Sequence, residues 1–111
     1  AEARMLANAP QVVNIVKTQA VTMNNHHSGV TPAHFYGSSN LTSTFHVVAT
    51  NKDRDGNEFI STIEGKDMPL YSTQWHPEKV QFEWWYKEAM NHSPDSVLAN
   101  SHFSHFFVNE T

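Results

Sequence analysis

Two alternating stretches of β-branched and aromatic residues, Phe45–Thr50 and Phe59–Glu64, flank a polar run, Asn51-Lys52-Asp53-Arg54-Asp55-Gly56-Asn57. In the first, Phe45, Val47 and Ala49 alternate with His46, Val48 and Thr50. In the second, Phe59, Ser61 and Ile63 alternate with Ile60, Thr62 and Glu64. A period of two is the signature of a strand, and Asp-Gly between two such runs is a strong hairpin signal. An antiparallel hairpin is therefore the firmest constraint on the fold. Gly65 ends its second strand. Met68-Pro69 sets up a third run, Leu70–Trp75, so three neighbouring strands are predicted.

Around this hairpin the chain reads as helical. Ala1 to Gln19 begins with the helix formers Arg4, Met5, Leu6 and Ala7, and Pro10 suits the first turn of a second helix. Val12, Val13, Val16 and Ala20 recur there at helical spacing. Val21 and Met23 suggest a short strand over Ala20–Asn25, running into a polar loop at Asn24–Gly29. Thr31-Pro32 can cap and start a short helix through Phe35 and Tyr36, ended by Gly37. After Pro77 the chain turns irregular and aromatic, with Phe82, Trp84, Trp85 and Tyr86. Ser93-Pro94-Asp95 then has the cap, first-turn proline and acid of a helix start. Leu98, Ala99, Phe103, Phe106 and Phe107 form one stripe of that helix to about Val108. No repeat, low-complexity tract or linker divides the chain, which reads as one unit or part of one.

Composition removes several function classes. With 7 Lys+Arg against 11 Asp+Glu the net charge is −4, the wrong balance for a protein that tracks phosphates along nucleic acid. No apolar run reaches the roughly 18 residues that span a bilayer, and the first residues carry no signal-peptide pattern. There is no cysteine, which excludes disulfides, thiolate metal sites and a cysteine nucleophile within these 111 residues. Eight histidines are many for this length. Most such residues fill half-buried polar positions, and only spacing argues for metal or proton chemistry. His102 and His105 are three apart on one helix face, and His26, His27 and His34 form a looser cluster. Neither group has an obvious further ligand, so no metal and no cofactor is assigned.

The string Gln74-Trp75-His76-Pro77-Glu78-Lys79 follows the third strand directly. Proline restricts His76 to extended geometry, and in an extended segment residues i and i+2 project to one side. His76 and Glu78 are thus expected to face together. A carboxylate beside an imidazole accepts its Nδ1 proton and fixes the tautomer. This is the base and orienter of a nucleophilic triad without its nucleophile.

Gln74–Lys79 resembles the signature that closes the active site of class I glutamine amidotransferases. The stretch from Glu58-Phe59-Ile60-Ser61-Thr62-Ile63-Glu64-Gly65 through Trp75-His76-Pro77-Glu78-Lys79 resembles the γ-glutamyl hydrolases (folylpoly-γ-glutamate hydrolases) in particular. So does the ending, His92-Ser93-Pro94 and Phe106-Phe107-Val108-Asn109-Glu110. The resemblance implies a three-layer α/β/α, flavodoxin-like fold, with a mostly parallel sheet carrying the Phe45–Ile63 hairpin at one side. It also implies a cysteine peptidase that removes γ-linked glutamates from folylpoly-γ-glutamates, with His76 as general base and acid and Glu78 orienting it. The context Asn25-His26-His27 matches a second family histidine, so His27 is expected to line the substrate pocket. Residues 1–111 would be the C-terminal portion of the catalytic domain, inactive alone because the nucleophilic cysteine lies upstream. Trp84, Trp85, Tyr86 and the Phe-rich last helix would pack on that portion. Expected partners are the substrate, the rest of the enzyme and a second copy in a homodimer, with no nucleic acid and no membrane. A lysosomal or secreted location is implied, with glycans on the acceptor patterns at Asn40 and Asn109; Pro94 hinders the one at Asn91. Two alternatives stand beside this: a glutaminase domain delivering ammonia to a synthase, and a non-enzymatic His-rich metal-binding module.

Overall fold

The computed structural model describes residues 3–84, 86–87 and 90–111. A 3-10 turn at Arg4–Leu6 precedes helices α1 (Pro10–Thr18), α2 (Pro32–Tyr36) and α3 (Ser39–Thr44). Strands β1 (Phe45–Lys52), β2 (Glu58–Gly65) and β3 (Tyr71–Thr73) follow, then α4 (Lys79–Phe82) and α5 (Pro94–Glu110). This is an α/β fold. Residues 26–74 form one compact unit, and residues up to 25 together with those from 75 onward form another.

The first unit, residues 26–74, is built on the hairpin. Its sheet has the order β1-β2-β3 and is antiparallel throughout; the parallel ladder that the resemblance implies is not among the described strands. The turn spans Asp53–Asn57, longer than a two-residue hairpin, because the Asp53 carboxylate organises it. Asp53 Oδ1 accepts the backbone N–H groups of Asp55 (2.9 Å) and Asn57 (2.8 Å), and Gly56 takes the left-handed conformation at φ 83°. The register slips twice, between Val47 and Ala49 and between Ala49 and Thr50. Val48 on β1 and Ser61 on β2 are the unmatched residues. These bulges blur the expected inside–outside alternation: β2 is buried along most of its length, whereas β1 is half-buried over its first four residues and exposed over its last four. Gly65 closes β2 where a Cβ would fall 2.6 Å from the Met68 carbonyl oxygen, so only glycine lets the chain double back to β3. The third strand is shorter than the predicted run Leu70–Trp75.

Cover for the sheet comes from the predicted helix α2, capped by Thr31, whose side chain accepts the His34 N–H, and started by Pro32. Phe35 is 2 % exposed. The next helix, α3, was not expected: Ser39-Asn40-Leu41-Thr42-Ser43-Thr44 has poor helix formers. Its signal is the cap, Ser38 Oγ accepting the Leu41 N–H.

The second unit has its core in Met5, Val12, Ile15, Val21, Met23, Trp75, Val80, Ala99 and Phe103, all buried. The chain up to Gln19 is not one helical stretch: Asn8 at φ 60° breaks it, and Pro10 begins α1 as predicted. The buried face of α1 is Val12 and Ile15, with Ile15 standing where the reading placed Val13, Val16 and Ala20. In α5 the start is as predicted, Ser93 Oγ accepting the Ser96 N–H at 3.2 Å with Pro94 in the first turn. Its buried face, however, is Ser96, Ala99, Asn100 and Phe103, while Leu98 and Phe107 are exposed. The apolar stripe read from sequence is displaced because two polar residues have internal partners. The strand expected over Ala20–Asn25 joins no described ladder. Val21 and Met23 are buried, yet the carbonyls of this segment go elsewhere: Ala20 O to Asn91, Val21 O to Asn100 and Met23 O to the His76 N–H.

Candidate active site

Trp75 anchors the site. It is 5 % exposed and meets Phe103 of α5 edge-on, ring centroids 4.9 Å apart at 84°. Five residues later, Val80 is fully buried. Between these two fixed points the backbone turns: the Lys79 N–H reaches the His76 carbonyl at 3.4 Å, with Pro77 second in the turn. Glu78 has helical dihedrals (φ −74°, ψ −22°) and opens α4. His76 and Glu78 therefore do come together, but through a turn into a short helix and not through the extended i, i+2 geometry expected. Glu78 Oε1 accepts from His76 Nδ1 at 3.2 Å.

The other ring nitrogen is also engaged. His76 Nε2 lies 3.3 Å from the Asn25 carbonyl oxygen, and the His76 backbone N–H donates to Met23 O at 2.8 Å. A carboxylate and a carbonyl only accept. A ring protonated on both nitrogens satisfies both contacts, whereas a neutral ring satisfies one. The Nε2 contact is at the long end for a hydrogen bond, so that nitrogen is held more lightly than a short bond would hold it. Sequence reading had no signal for Asn25, because a backbone carbonyl does the work.

His27 belongs to the sheet unit and is exposed; nothing described there builds a pocket on it. Asn40 and Asn109 are both exposed, on α3 and in the last turn of α5. The Asn91 amide is spent on Ala20 O, and its Oδ1 accepts the Ser93 N–H. His102 Nε2 contacts Met5 O at 2.6 Å, and His102 and His105 line a groove of about 700 Å³ with Val12, Leu98 and His92. Among the described residues no three His, Cys, Asp or Glu side chains are grouped to hold a metal ion. His26 packs edge-on against Phe59, and His34 is exposed. Trp84, 77 % exposed, stacks on His92 with centroids 3.6 Å apart, and Tyr86 is 87 % exposed. Trp85 lies outside the described residues.

The family pattern of Glutamine amidotransferase class-I matches residues 2–84, and the chain belongs to that family. Within it, the sequence is similar to γ-glutamyl hydrolases. Gamma-glutamyl hydrolase B of Dictyostelium discoideum is 47% identical over 111 residues, covering 99% of this chain and 32% of that protein. Gamma-glutamyl hydrolase of Homo sapiens is 36% identical over 108 residues, 96% of this chain and 34% of the other. Probable gamma-glutamyl hydrolase 3 of Arabidopsis thaliana is 37% identical over 101 residues, 91% and 28%. The chain thus spans about a third of the length of these relatives.

Proposed function

We propose that the chain is the proton-handling part of a γ-glutamyl hydrolase acting on folylpoly-γ-glutamates. The observation that carries this is the 3.2 Å His76–Glu78 pair in a chain similar to proteins of that name. On this reading a cysteine thiolate from elsewhere in the protein attacks the γ-amide carbonyl and forms a thioester. His76 passes its proton to the departing amine, then takes one from the water that hydrolyses the thioester. Glu78 holds the ring so that Nδ1 stays protonated and Nε2 exchanges the protons. A doubly protonated ring, which suits both contacts seen here, is the partner of a thiolate and the acid needed for the first half-reaction. His27 is assigned to the substrate pocket and Asn40 and Asn109 to glycans of a secretory route, on the resemblance alone.

The test is turnover of a poly-γ-glutamate substrate by the full-length protein. His76→Ala is expected to lower kcat by on the order of 10⁴-fold or more, and Glu78→Gln by less. Wild-type turnover in His76→Ala refutes the assignment. A glutaminase would share the pair but release ammonia from free glutamine; the names of the relatives favour the hydrolase, and the same assay with glutamine separates them.

A further inference from the structure

The segment from Gln19 to Asn25 supplies both carbonyls that hold His76, and side-chain amides tie it to the chain at and before α5. Gln19 Nε2 donates to Asp95 Oδ2 at 2.8 Å, Asn91 Nδ2 to Ala20 O at 3.1 Å, and Asn100 Nδ2 to Val21 O at 3.0 Å. Asn100 is 1 % exposed on α5, and its amide also reaches the Ser96 carbonyl at 2.7 Å. That second bond locks the side chain to its own helix, so Val21 is referred directly to the α5 backbone.

We propose that Asn100, seconded by Asn91, is a positioning residue for His76. The route is short. Val21 O is pinned by Asn100; two residues on, Met23 O takes the His76 N–H; two further, Asn25 O takes Nε2. Val21 and Met23 are both buried, at 2 % and 6 % exposure, so packing as well as hydrogen bonds holds the segment between these points. The Asn100 amide oxygen argues against a role in burial alone. It is buried with no hydrogen-bond partner among the described residues, so the amide uses its donor end only, on the Val21 and Ser96 carbonyls with the Ser96 hydroxyl at 3.4 Å. A side chain kept merely to fill that space would be better apolar.

This inference rests on His76 being the catalytic base, and the experiment separates the two. In the full-length protein, Asn100→Ala and Asn91→Ala are assayed on poly-γ-glutamate while the His76 ring nitrogens are followed by ¹⁵N NMR. A displaced ring predicts a kcat lower by on the order of 10²-fold in Asn100→Ala and about 10-fold in Asn91→Ala, with KM within about twofold. The Nε2 signal should move in both variants, while the Nδ1 signal, bonded to Glu78, stays. Unchanged ring signals and unchanged kcat in the folded variants overturn the proposal. If Asn100→Ala does not fold, Asn91→Ala decides on the same readouts. If His76→Ala itself retains turnover, the base assignment fails, and the NMR signals still judge the positioning.

Discussion

Glu78 keeps 64% of its side chain exposed and His76 35%. Water screens their attraction, and such a pair stabilises a fold by no more than about 1 kcal/mol. Direction is therefore what the carboxylate contributes, which is why Glu78→Gln is expected to show in turnover and hardly in stability. Asp53 is the contrasting case, a carboxylate whose work is structural. The Asn57 backbone N–H above all, with the Asn57 side chain and the Asp55 N–H, holds its pKa below the ordinary carboxylate value. A lowered pKa means that the stabilisation is fully present above that ordinary value and disappears as pH falls through the folded one. Asp53→Ala should therefore be measurably less stable than the unaltered protein at pH 7 in urea denaturation, with the gap closing below about pH 3.9. A gap that stayed constant into acid would contradict this account of the turn.

At the scale of elements, what was legible depended on whether a local signal had a local cause. The hairpin and the start of α5 were readable because the Asp53 and Ser93 side chains accept N–H groups of their own neighbours, and Pro94 has no N–H to satisfy. The pair at His76 and Glu78 was found for a reason that did not hold. Their closeness comes from a turn and a short helix pinned by Trp75 and Val80, contacts with residues distant in sequence. The segment Ala20–Asn25 joins no described ladder, and its carbonyl partners Asn91 and Asn100 lie 71 and 79 residues away from the groups they bind. The face of α5 was misread because Ser96 and Asn100 are buried with partners. Two substitutions measure that correction. Phe103→Ala, at 3 % exposure, should cost about 3–5 kcal/mol in urea denaturation. Phe107→Ala, at 36%, should cost well under half of that, since exposed truncations stay nearer about 0.5 kcal/mol. Equal losses would restore the original stripe.

For the whole molecule, the proposed chemistry divides between this chain and a thiol it does not contain. The purified 111-residue chain is accordingly expected to release no glutamate from a poly-γ-glutamate substrate. Turnover that His76→Ala abolished would place a different nucleophile within these residues. The bulges of the hairpin bear on the molecule's history. Val48 is unmatched on one strand and Ser61 on the other, and beyond both the pairing returns to the register it had before them, so that Lys52 still faces Glu58. Loss of one codon at either site would leave a single slip uncompensated and turn the rest of that strand over, inner face for outer. A length change within the paired stretches is therefore expected to need a matching change on the opposite strand, whereas the Asp53–Asn57 turn lies outside that constraint.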